Sequence, residues 1–79
     1  MLKKEPKIVA VFHSTTDACE TERLCRDAGV RGRIIPVPTD ISADCGLAFM
    51  MPPEEKEAFE RAICGRVVPM GYYERLLRG

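Results

Sequence analysis

Cys45-Gly46-Leu47-Ala48 carries a thiol out of the turn-rich stretch Pro38-Thr39-Asp40-Ile41-Ser42-Ala43-Asp44 and directly onto an apolar run. A cysteine at such a junction sits at the rim of a sheet, held by the strand yet open to a reagent. The thiolate is the nucleophilic form, and a helix N-terminus or a nearby cation favours it. Upstream, His13-Ser14-Thr15-Thr16 supplies an imidazole and three hydroxyls just ahead of a helical pattern. The imidazole could serve a thiol as base or charge partner, and the hydroxyls could serve an anion. Asp44 works against this chemistry, because a negative charge beside a thiol opposes its ionisation. The other cysteines, Cys19, Cys25 and Cys64, fall in helical patterns where packing accounts for them.

The spacings narrow the chemistry. There is no Cys-x-x-Cys, so the usual dithiol redox motif is missing. The single histidine is far in sequence from every cysteine except Cys19, which argues against a structural zinc site. No metal and no cofactor are expected, with Cys45, His13 and a further thiol as the one metal alternative. A chain of 79 residues is expected to be one domain with a small core, ordered over about residues 7–73. Formal net charge is zero and the cations are scattered, which lacks the footprint of a nucleic-acid or anionic-membrane binder. Aromatic residues make up only 6%, too few for a base-stacking platform. The basic start Met1-Leu2-Lys3-Lys4-Glu5-Pro6 leads into a short apolar run that fits neither a signal peptide nor a span. The expectation is a cytoplasmic protein with free thiols.

The elements that must position these residues follow from periodicity and punctuation. Lys7 to Phe12 reads as strand one, apolar and rich in β-branched residues. Thr16 or Asp17 is the expected cap of helix one, with Glu20 at capping-box spacing from Asp17. The helix buries Ala18, Thr21, Leu24, Cys25 and Ala28 and ends at Gly29. Arg33 to Val37 reads as strand two and Gly46 to Met51 as strand three. Pro52-Pro53 opens helix two, with Phe59, Ala62 and Ile63 inward and Gly65 at its end. Cys64 lies near that end beside exposed Glu60. Arg66 to Tyr73 reads as strand four.

The order β-α-β-β-α-β is the ferredoxin-like split unit, an α+β sandwich with sheet order 4-1-3-2 and two helices on one face. In it strands two and four are edges, and they are the strands assigned Pro36 and Pro69, where proline is tolerated. Strands one and three are apolar on both faces although helices cover only one. This leads to the expectation of a homodimer through the sheet face. The topology also sets the end of strand one beside the start of strand three. Cys45, His13, Ser14, Thr15, Thr16 and Gly46 are thereby expected in one small region at the helix N-terminus. There, backbone N–H groups bind anions, and Gly46 allows close approach beside the sulfur. The plainer alternatives are Cys45 as packing, His13 as a cap, and the hydroxyls as partners of the first helical amides.

Phe12-His13-Ser14-Thr15, then Ala18, Glu22 and Leu24, then Ala28-Gly29-Val30, resembles a family of small bacterial proteins described as selenium/sulfur carrier-like. The similarity continues through Ile35-Pro36-Val37-Pro38 and Ile41-Ser42 to Cys45-Gly46-Leu47-Ala48, and covers roughly Ile8 to Tyr73. The chain departs from the pattern at Ala43-Asp44, where small hydroxyl residues are more usual. The resemblance implies a carrier of sulfur or selenium as a persulfide or selenosulfide on Cys45, with donor and acceptor proteins as partners. The alternative is an interaction or regulatory module without chemistry, binding a small anion at the His13 loop, which rests on fold analogy.

Overall fold

The computed structural model describes residues 3–41 and 46–78 of the chain. Its elements run β1 (Lys4–Val11), α1 (Thr15–Ala28), β2 (Arg33–Pro36), β3 (Leu47–Met51), a single 3-10 turn (Pro53–Glu55), α2 (Lys56–Ile63) and β4 (Gly71–Arg78). The strands form one antiparallel sheet in the order β2-β3-β1-β4, which is the ferredoxin-like order read from the opposite edge.

Side chains alternate across the sheet, so each central strand feeds two cores. On one face Ile8, Ala10, Phe12, Phe49 and Met51 pack under both helices, against Ala18 and Cys25 of α1 and Phe59 and Ile63 of α2. The rings of Phe49 and Phe59 stack with centroids 5.3 Å apart, and Tyr72 of β4 meets Phe59 edge-on at 6.1 Å. On the opposite face Val9, Val11 and Ala48 are also fully buried, in a second cluster with Ile41 against which Ile35, Val37 and Leu77 pack. Ile41 is delivered there by a turn in which its N–H donates to Pro38 O at 3.0 Å. The neighbouring Asp40 bonds Arg75 Nε of β4 at 2.7 Å. The segment after β2 thus reaches across the sheet to its far edge. The doubly apolar central strands therefore have cover within a single chain.

Two element readings need correction. The fourth strand is not Arg66 to Tyr73 but Gly71–Arg78. Arg66 bonds back to Ile63 O, Val67 turns into the core, and Val68 is 77% exposed, so this stretch is a connection and Pro69 belongs to it. Likewise β1 begins at Lys4, well before its apolar run. In both places charged residues belong to a strand, because Lys4 to Lys7 and Arg75 to Arg78 pair with each other beyond the end of β3.

That pairing also places Pro6 inside β1, and the ladder shows why it is tolerated. Met70 N–H donates to Val11 O at 2.7 Å, so the polar groups of Val11 face β4. By alternation those of Ala10, Ile8 and Pro6 face the β3 side. The last partner of β1 on that side is Met51, opposite Ile8, so the nitrogen of Pro6 meets no ladder. Val37 N–H donates to Gly46 O at 3.1 Å, which likewise turns the nitrogen of Pro36 out to solvent. Pro6 and Pro36 each occupy a strand position that, among the described residues, has no partner strand on its nitrogen side.

Candidate functional site

Helix α1 starts earlier than its capping pattern suggests. Ser14, in extended backbone, is the N-cap: its Oγ accepts from Asp17 N–H at 3.1 Å, while its carbonyl takes Ala18 N–H at 3.2 Å. Thr16 and Asp17 are therefore within the first turn, and the expectation that one of them caps the helix is corrected. The serine wins because an oxygen must stand before the first turn to reach its third amide. The Ser14 hydroxyl proton remains able to donate. His13, Ser14, Thr15 and Thr16 are all exposed.

The sheet register brings β3 to the same place. Val11 is opposite Ala48, so two further steps along each chain lead to His13 and to Gly46 at one end of the sheet. Gly46 is exposed, and among the described residues a Cβ there would meet nothing within 4 Å. Cys45 and Asp44 lie outside the described residues. The remaining thiols differ sharply. Cys25 is buried under α1, and burial pushes its thiol up to about 11. Cys64 is exposed at the C-cap of α2, and Cys19 is exposed on α1.

Cys19 is where sequence reasoning was least informative. It lines an open groove of about 630 Å³ with Thr15, Thr16, Asp17, Glu20, Arg23, Arg66 and Val67. One half of this grouping was legible: Thr15, Thr16 and Cys19 are three and four residues apart and share a helix face. The other half was not, since Arg66 enters only because the chain after α2 folds back beside the start of α1. Arg23 binds Glu20 through two nitrogens at 3.0 and 2.8 Å. Those bonds, with help from the charges of Arg23 and Arg66, hold the Glu20 carboxyl below the ordinary carboxylate range. The groove carries two cations and two carboxylates, so its charge is balanced. Among the described residues no three His, Cys, Asp or Glu side chains gather in a way that could hold a metal ion. Nor is any helix among them long and apolar enough to cross a membrane.

Comparison with known proteins adds one finding. The model of the family described as "Putative Se/S carrier protein-like" matches residues 7–72, most of the chain. No curated protein and no solved structure matches it.

Proposed function

The chain belongs to the Se/S carrier protein-like family, and on that premise we propose that it holds sulfur or selenium as a persulfide or selenosulfide on Cys45. The observation that carries this reading is the register of β1 against β3. Val11 opposite Ala48 puts the residue that follows Cys45 at the sheet end where His13 leads into α1. First-turn amides have no carbonyl one turn back within their own helix, and the positive end of the helix dipole favours an anion. In this proposal the positive end of α1 and the hydroxyls of Ser14, Thr15 and Thr16 stabilise the charged sulfur, with His13 as base or charge partner.

The transfer needs no net oxidant. The Cys45 thiolate attacks the outer sulfur of a donor persulfide R–S–SH. A new S–S bond forms as the donor's bond breaks, leaving Cys45–S–SH and the donor thiolate R–S⁻. Delivery is the same step with an acceptor thiolate attacking the terminal sulfur and Cys45 leaving. A donor R–S–SeH would load selenium in the same way. The test is intact-mass measurement after incubation with a low-molecular-weight persulfide and removal of excess donor. The expected result is a gain of one sulfur that Cys19→Ser and Cys64→Ser retain and Cys45→Ser loses. A Cys45→Ser protein with the same gain would overturn the proposal. An inert Cys45 in thiol titration of the native protein would favour an interaction module instead.

A further inference from the structure

Strand β4 ends the sheet, and the half of it nearest the chain terminus is unusually open. The polar groups of Val11 and, by alternation, Val9 and Lys7 face β4, where their partners are Gly71, Tyr73 and Arg75. The N–H and C=O groups of Tyr72, Glu74, Leu76 and Arg78 therefore point away from the sheet. Among the described residues no strand pairs with them. The opposite edge, β2, is only four residues long and carries Pro36. By contrast, β4 has eight residues and no proline, and its Leu76 is 64% exposed. Long unblocked edges with apolar side chains are templates for another strand. Past Ile8, moreover, Lys4 to Lys7 and Arg75 to Arg78 pair only with each other among the described strands. Two-stranded ribbons are marginal in water until further strands join them.

We infer that β4 pairs antiparallel with β4 of a second copy of this chain, about a two-fold axis through Leu76. In this register Leu76 stands opposite Leu76 of the copy. Glu74 stands opposite the copy's Arg78 on one side of the axis, and Arg78 opposite its Glu74 on the other. The three residues share one side of the sheet and are the ones whose backbone groups face outward, so each opposed pair is a hydrogen-bonding pair. The pattern Glu74-x-Leu76-x-Arg78 is thus complementary to itself, which singles out a second copy as the occupant. An axis through Glu74 or Arg75 would instead set like charges opposite one another. Glu74 O already accepts from Arg75 Nη1 at 2.6 Å, and its second lone pair serves the new bond. Room is sufficient: α2 meets β4 at Tyr72, through Phe59 and through Lys56 Nζ at 4.7 Å from the ring. That contact is four residues from the axis, about 13 Å along the strand. The result is a continuous eight-stranded sheet in which each ribbon gains two neighbouring strands.

Sedimentation equilibrium of the full chain tests this, with circular dichroism as the check on folding. The wild type is expected to be a dimer. Leu76→Pro removes only an outward N–H, the setting that Pro6 and Pro36 already occupy, and is expected to give a folded monomer. Glu74→Arg alone sets Arg opposite Arg twice, and Arg78→Glu alone sets Glu opposite Glu twice. Each is expected to weaken the dimer about tenfold or more. Mixed together, the two single variants form complementary pairs at both positions and should recover dimer of wild-type strength. A wild type that stays monomeric at every concentration would overturn the inference. So would a dimer indifferent to both charge changes, which would place the contact elsewhere, such as the face covered by Ile41. Failure of the mixed variants to associate would refute the register even if Leu76→Pro proved unstable.

Discussion

Replacing Ile41 by alanine tests whether this chain covers its own second sheet face. Ile41 is 7% exposed and packs with Val9, Val11 and Ala48. Truncating a buried isoleucine to alanine costs roughly 2–5 kcal/mol, and least where the surroundings can collapse. The Pro38–Ile41 turn is a surface segment able to settle toward the strands, so the low end applies, about 2–3 kcal/mol. The same segment is also held by Asp40, but that ion pair is weaker. Its side chains are 60% and 32% exposed despite the 2.7 Å separation, and exposed pairs contribute about 0.2–1 kcal/mol. Burial rather than charge should therefore dominate. The chain has no tryptophan, so urea unfolding is best followed by far-ultraviolet circular dichroism. With a slope of about 1 kcal/mol/M for so small a domain, Ile41→Ala should lower the midpoint by about 2–3 M and Asp40→Ala by under about 1 M. A loss below about 1 kcal/mol for Ile41→Ala, or equal losses for the two variants, would refute the assignment of this cover to Ile41.

Three further outcomes are expected. Ser14→Ala should cost about 1 kcal/mol by removing the oxygen that accepts from Asp17 N–H, whereas Thr16→Ala, inside the first turn, should cost less; equal losses in thermal unfolding would reject Ser14 as the cap. Gly32 has φ +152°, and a Cβ there would lie 2.5 Å from the Phe49 ring and 2.6 Å from Met50 O. Gly32→Ala should therefore destabilise by about 2 kcal/mol or more, through overpacking and strained backbone, and a neutral result in urea unfolding would contradict that crowding. Burial raises the Cys25 thiol from 9.0 to about 11. The unfolded chain thus loses this proton first as pH rises, so the stability linked to Cys25 is intact below about pH 9 and is lost toward pH 11. Cys25→Ala should flatten that part of the stability–pH curve, and an unchanged slope would show the thiol is not the source.

Much of the fold was legible because two periodicities state it plainly. The β-branched run at Ile8 to Phe12 and the helical spacing of Ala18, Thr21 and Cys25 both carry their structure locally. The element order then leaves few topologies. What failed to show were the strand ends Lys4 to Lys7 and Arg75 to Arg78, which carry charged residues and no apolar alternation and are strands because they pair with each other. The N-cap was misplaced for a related reason. Ser14, Thr16 and Asp17 are all good capping residues, and the choice depends on where the chain leaves β1.

For the site, the sequence by itself determined the parts: a thiol after a polar loop, an imidazole and hydroxyls before a helix, and no Cys-x-x-Cys. It also placed the end of β1 beside the start of β3, since topology follows from element order. Only the tertiary structure decided which groups share space. It set Arg66 beside the first turns of α1 with Cys19, packed Ile41 on the sheet face opposite the two helices, and, among the described residues, left the outer side of β4 without a partner strand. These are contacts between residues distant in the chain, fixed by how the layers close on one another, and no local pattern of residues encodes them.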